Sequence, residues 1–152
     1  MWPEIKTILL AMTPINELRG TIPIAIMVFH LMPIKAFFLA WFGNMLPILF
    51  LLWFWKYLAE NWASRNRLID KFLKWIFRRT RKRFYKKYSL YGDIALILFV
   101  AIPLPFTGAW TGSIAAFLFG ISYGRGLWLI ACGALIAGVI VTIMTTGIYS
   151  FL

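Results

Sequence analysis

The 152-residue chain is 62% hydrophobic and 18% aromatic, with a formal net charge of +11. Soluble domains average about 45–50% apolar residues, and a chain this short has too little interior to hide such an excess. An ordinary soluble enzyme domain is therefore excluded, and lipid must solvate much of the surface.

The charge is local. Residues 56–88 hold twelve of the sixteen basic side chains and only Glu60 and Asp70 as acids, so the rest of the chain is nearly neutral. The basic pI thus describes one segment and not a general affinity for nucleic acid. The length suits one membrane domain, 1–152, with no separate soluble part. Cys132 is the only cysteine, so no disulfide forms within the chain. The N-terminal residues carry no cleavable signal pattern, and this segment is expected to be retained.

In chain order, residues 4–31 are apolar but broken at their centre by Thr13-Pro14-Ile15-Asn16-Glu17-Leu18-Arg19-Gly20-Thr21, with Pro23 just beyond. Each side of the break is too short to span a bilayer, which fits a re-entrant hairpin with Pro14, Gly20 and Pro23 at its tip. Residues 33–55 are long enough for a transmembrane helix, kinked at Pro47, with Trp53, Trp55 and Tyr57 as an interfacial belt. Residues 56–88 read as a basic amphipathic helix on the cytoplasmic headgroups. Ile69, Phe72, Leu73 and Ile76 lie on its apolar face, and Lys74, Arg78, Arg79, Arg81, Lys82 and Arg83 contact anionic lipid. Residues 93–121 form a second broken block, a re-entrant hairpin with Pro103, Pro105, Gly108 and Gly112 at its tip. Residues 126–150 are the second transmembrane helix, whose glycines and alanines favour close packing within a bundle or against a second copy.

The order of features repeats: broken block, short connection, full span. Gly20-Thr21 corresponds to Gly112-Ser113, and Lys35 and Gly43 correspond to Arg125 and Gly133. With one full span between them the hairpins enter from opposite faces, which gives an all-α membrane fold with an inverted-topology repeat. The basic segment is then cytoplasmic by the positive-inside rule, and both termini lie on the other side. In a rival topology each broken block is one kinked span.

Glu17 and Arg19 are the candidate chemical groups, because an ionisable residue at mid-membrane is costly and usually faces a cavity. Glu17 would bind or relay a proton, with Arg19 pairing to it or meeting an anionic substrate. A structural ion pair pinning the hairpin tip, or a location at the aqueous interface, are the alternatives. Asn16 lies beside them, and Asn44 near the middle of the first span would join the site or hydrogen-bond a neighbouring helix. The second break adds Thr107, Trp110, Thr111 and Ser113 without any charge. His30 reads as interfacial. The sequence carries no metal, cofactor or catalytic-triad motif, so neither a cofactor nor an enzymatic activity is expected.

The run Pro14-Ile15-Asn16-Glu17-Leu18-Arg19-Gly20-Thr21-Ile22-Pro23 resembles the E-L-R-G-x-I-P motif of the small multidrug export protein family. Pro103-Leu104-Pro105 through Thr107-Gly108-Ala109-Trp110-Thr111-Gly112 resembles the same family's P-x-P-x-T-G-A-x-x-G motif. The resemblance covers nearly the whole chain. It implies kinship with the DedA (VTT) superfamily, paired re-entrant hairpins, an acidic position at Glu17, and proton-linked transport or flipping of lipids. The arginines common in that superfamily's second hairpin have no counterpart here.

Together these readings give a small secondary transporter or scramblase moving an amphipathic or lipid-like substrate, coupled to protons, between two hairpin tips. Its setting is a prokaryotic plasma (inner) membrane. Its partners are membrane lipids, its substrate, protons and a possible second copy, with no nucleic acid. The alternative is a non-transporting scaffold or anionic-lipid-binding protein acting through the basic helix; a channel lacks an evident selectivity ring.

Overall fold

The structure is a computed structural model that describes residues 2–62, 71, 89–102 and 107–150. Six α-helices account for the regular structure among these residues: α1 (Pro3–Ala11), α2 (Glu17–Met27), α3 (Pro33–Trp62), α4 (Ser89–Ala101), α5 (Ala109–Leu118) and α6 (Tyr123–Tyr149). The anionic-lipid candidates Lys74, Arg78, Arg79, Arg81, Lys82 and Arg83 lie outside the described residues, as do Pro103 and Pro105.

Two helices can cross a bilayer by length and apolarity, over Pro33–Leu58 and Tyr123–Ile148, with mean hydropathies of 1.9 and 2.5. Only 33% and 39% of their most apolar windows are buried, so these are not core helices of a soluble protein. Phe38, Phe42, Trp53, Trp128 and Ile143 are more than half exposed, and such an outward-facing apolar surface needs lipid around it. The chain is a membrane protein.

The helices meet through small residues. Ala11, Ala25, Ala36, Ala40, Ala134 and Ala137 are fully buried, and lack of bulk lets backbones approach where lipid removes the hydrophobic drive for association. At Gly43 a Cβ would sit 2.6 Å from the Ile8 carbonyl oxygen; at Gly133 it would sit 2.8 Å from the Ile97 carbonyl oxygen. Each long helix therefore touches the first short helix before it, backbone to backbone. Three glycines of α6 pack within the chain, as the bundle reading expects: Gly126 faces Ala116 and Leu52, Gly133 faces Val100, and Gly138 faces Phe37, whereas a Cβ at Gly147 would meet nothing within 4 Å.

Polar contacts mark where each block begins and ends. Lys35 at the head of α3 bonds Glu4 at the head of α1 at 2.7 Å, and Lys6 lies over the Phe29 ring just beyond α2. The first block thus returns to the end at which it started. In the second block Arg125 at the head of α6 bonds Asp93 near the head of α4, Nε to Oδ2 at 2.9 Å. Between the long helices, Tyr123 donates to the Leu49 carbonyl at 3.2 Å, the Trp41 indole donates to the Ala131 carbonyl at 3.2 Å, and Gly138 meets Phe37. This descending register makes α3 and α6 antiparallel, so the ends of the two blocks lie at opposite ends of the bundle.

Several boundaries differ from the sequence reading. The first break is shorter than 13–21: α2 resumes at Glu17, with Gly20 and Pro23 inside it, and Gly112 likewise lies inside α5. A proline inside a helix withdraws one backbone bond, here to the Arg19 carbonyl, and packing on both sides carries the helix through. Helix α3 continues through Pro47 and past residue 55 to Trp62, taking in the start of the basic segment. Helix α6 begins at Tyr123, three residues early.

Candidate functional site

The two breaks meet inside the bundle. Glu17 opens α2 with φ of 44°, a left-handed conformation that costs a non-glycine residue about 1–3 kcal/mol and persists only where surroundings impose it. The imposing contact is with the second half. Glu17 is 8% exposed; the Trp110 backbone N–H donates to its Oε1 at 3.2 Å, and the Ala109 amide lies beside it. These are the first amides of α5, which have no partner within their own helix. Gly108 makes the approach possible, because a Cβ there would overlap the Glu17 carboxylate.

Arg19 serves the other side of the same break. Its Nη2 donates to the Val100 carbonyl at 2.7 Å, at the C-terminal end of α4. Its Nη1 donates to the Thr107 carbonyl and, at 3.1 Å, to Thr107 Oγ1. An anionic side chain thus faces the electropositive start of α5, and a cationic one faces the electronegative end of α4. Two residues of the first half close the helix termini of the second, which would otherwise be unpaired away from water.

A cavity of about 780 Å³ opens beside this junction. Asn16, Glu17, Arg19, Thr107, Trp110 and Thr111, all expected at the site, line it, with Pro14, Gly20 and Ser113. Asn44 does not line it. It is fully buried in α3, and neither side-chain polar atom has a hydrogen-bond partner, so the expected bond to a neighbouring helix is absent. Leu51 and Trp55 complete the wall from α3, with Ile15 and Ile114. Trp55, expected in the interfacial belt, stacks on Phe117 with centroids 5.8 Å apart. The aromatic run 53–57 gave no way to tell which rings face lipid and which face inward. His30 is exposed, with φ of 51°.

The polar atoms of the wall divide by hydrogen-bonding role. Thr111 donates to the Gly108 carbonyl at 3.3 Å, Ser113 to the Trp110 carbonyl at 2.6 Å, and Thr107 to the Ile102 carbonyl at 2.8 Å. The indole nitrogens of Trp55 and Trp110 are buried and without partners.

Comparison with known proteins gives a family and nothing nearer. The sequence profile of a family described as "Putative small multi-drug export protein" matches residues 17–140, from the head of α2 through α3 and the second break into α6. The chain belongs to that family. No curated protein and no solved structure matches it.

Proposed function

We propose that this member of the small multi-drug export family is a proton-coupled transporter, not an enzyme, that carries an amphipathic or lipid-like substrate through the cavity between its two breaks. One observation carries the reading: a buried carboxylate, held in a strained backbone conformation, lines a cavity at the point where two broken helices meet. Ionisable groups at membrane depth are kept where they serve a pathway or a proton relay, and broken helices line such sites in secondary transporters.

In this reading each broken block is a re-entrant hairpin, and the two units are an inverted-topology repeat. Support comes from the paired end contacts, Glu4 with Lys35 and Asp93 with Arg125, and from the antiparallel long helices. The heads of the two blocks then lie on opposite membrane faces, with both tips near the midplane. The basic residues 56–88 lie at the cytoplasmic surface against anionic lipid, in a plasma (inner) membrane. The resemblance to the DedA superfamily puts lipids among the candidate cargoes.

Glu17 takes up a proton from one side and releases it to the other as the cavity changes exposure. Loading and unloading of the carboxylate changes its hold on the start of α5, which forms part of the cavity wall. A ligand or proton shifts such an equilibrium only by its differential affinity for the two states, and a carboxylate charged in one state and neutral in the other supplies that difference.

The test is transport by the purified protein in vesicles under an imposed pH gradient, with translocation of a fluorophore-labelled phospholipid and efflux of lipophilic dyes as readouts. Gradient-driven movement is expected from the wild type and lost in Glu17→Gln, which keeps an acceptor for the Trp110 amide and so preserves the fold by size-exclusion chromatography. Unchanged movement in Glu17→Gln would remove this residue from the mechanism.

A further inference from the structure

The substrate class can be narrowed from the hydrogen-bonding roles around the cavity, and this step rests on the transporter reading above. Donors in the wall are already engaged or buried. Arg19 donates to the Val100 and Thr107 carbonyls, which turns its fork toward the end of α4 and residue 107. The hydroxyl protons of Thr107, Thr111 and Ser113 are spent on backbone carbonyls. Both indole N–H groups are buried beneath the ring faces that line the cavity wall.

Acceptors remain. A carboxylate offers about four lone-pair sites, and the Glu17 group takes a 3.2 Å bond from the Trp110 amide, with the Ala109 amide also turned to it. The half-buried Thr111 hydroxyl, its proton committed to the Gly108 carbonyl, presents lone pairs, whereas Ser113 is fully buried. The remaining wall is Leu51, Ile114 and the rings of Trp55 and Trp110, and aromatic faces attract cations. The positive charge of Arg19 is turned toward the carbonyl end of α4, which offsets it locally.

We infer that the cavity takes a lipophilic organic cation, with its charge against the Glu17 carboxylate and its apolar body between Trp55, Trp110 and Leu51. An anionic amphiphile would be repelled by the carboxylate, and a neutral one would bring no charge to meet it. Cation and proton then compete for one group, so each leaves as the other binds, and this exclusion is a direct route to exchange.

The competition has a definite sign. Lowering pH protonates Glu17 and must weaken cation binding; raising pH must strengthen it. Among the described residues, Arg19 is the charged side chain beside Glu17. The facing wall from α3, α5 and residues 107–108 brings Leu51, Trp55, Thr107, Trp110 and Thr111, none of which titrates in that range.

Tetraphenylphosphonium and tetraphenylborate have nearly the same shape and opposite charge, so they separate charge preference from greasiness. Equilibrium dialysis against the full-length protein in a neutral detergent should show saturable binding of the phosphonium, stronger than the borate by about tenfold or more. Glu17→Gln should lower phosphonium affinity by about tenfold or more, whereas Glu17→Asp, which keeps the charge, should retain measurable binding. Tighter binding of the borate, equal phosphonium binding by wild type and Glu17→Gln, or no saturable phosphonium binding would each overturn the inference. Should Glu17→Gln fail to fold, the wild-type comparison of the two probes and its pH dependence still decide. If the borate wins while Glu17-dependent, gradient-driven transport persists, the proton-coupled reading stands and only the cationic substrate falls.

Discussion

Residues 3–62 and residues 89–149 each set an acid near the head of a short helix against a base at the head of a long one, Glu4 with Lys35 and Asp93 with Arg125. Each presses a glycine of the long helix onto a carbonyl of the first short helix. Each leaves its second short helix through a left-handed residue, His30 at φ 51° and Gly120 at φ 67°. The tips are unlike. The first carries Glu17 and Arg19; the described part of the second carries no charge and offers bare helix ends. Neither tip is complete alone, because the charges need partners away from water and so do the amides and carbonyls. The lesson is a division of labour: common packing fixes where the tips meet, and the difference between them makes the junction chemical.

The largest effect should come from breaking the junction at Arg19. Replacing it with Met keeps much of the bulk but leaves the Val100 and Thr107 carbonyls without their donor and the Glu17 charge without its neighbour. Each hydrogen bond from a charged group is worth about 1.5–3 kcal/mol, and losing several at once should read as a large loss of stability in denaturant titration of the detergent-solubilised protein. Arg19→Lys should recover only part of this, since a single ammonium lacks the planar fork that reaches both sides of the break. Full stability in Arg19→Met would mean that the tips do not depend on each other.

A smaller effect tests what the halves share. Gly43→Ala and Gly133→Ala each push a methyl into a backbone carbonyl of a neighbouring helix, an overpacking worth about 1–3 kcal/mol. The closeness of the two contacts predicts losses of similar size in thermal unfolding. A large loss at one glycine with none at the other would show that the repeated contact matters in only one half.

How much of this could be read from residues alone follows from what each feature depends on. The two long helices were legible because their apolar runs are long and nearly uncharged, and the bilayer permits few other structures. Glu17 and Arg19 stood out for the same reason in reverse. Their partners were illegible, since they are the amides of Ala109 and Trp110 and the carbonyls of Val100 and Thr107, groups that every residue carries. Break lengths were overestimated because Gly20, Pro23 and Gly112 weaken a helix locally without ending it when neighbours pack on both sides. The inward turn of Trp55 was illegible because a helix apolar all round gives no signal of which face turns inward. The sequence also gave no reason to expect Asn44 buried without a partner.

The smallest effect lies at the exits from the second short helices, where the halves use different residues in one conformation. An alanine at Gly120 would be forced into the left-handed region, at a cost of about 1–2 kcal/mol. The converse change at His30 is not its mirror image. Glycine there would remove the strain of a side chain at φ 51°, but it would also give the unfolded chain more freedom, worth about 0.4–1 kcal/mol against folding. Histidine is among the residues that tolerate this region best, so the strain to be relieved is modest and the two terms nearly cancel. Melting temperature should therefore fall clearly in Gly120→Ala and hardly move in His30→Gly. A marked gain from His30→Gly would show that the first half holds its exit under real strain, and the likeness of the two halves would then stop at the trace of the backbone.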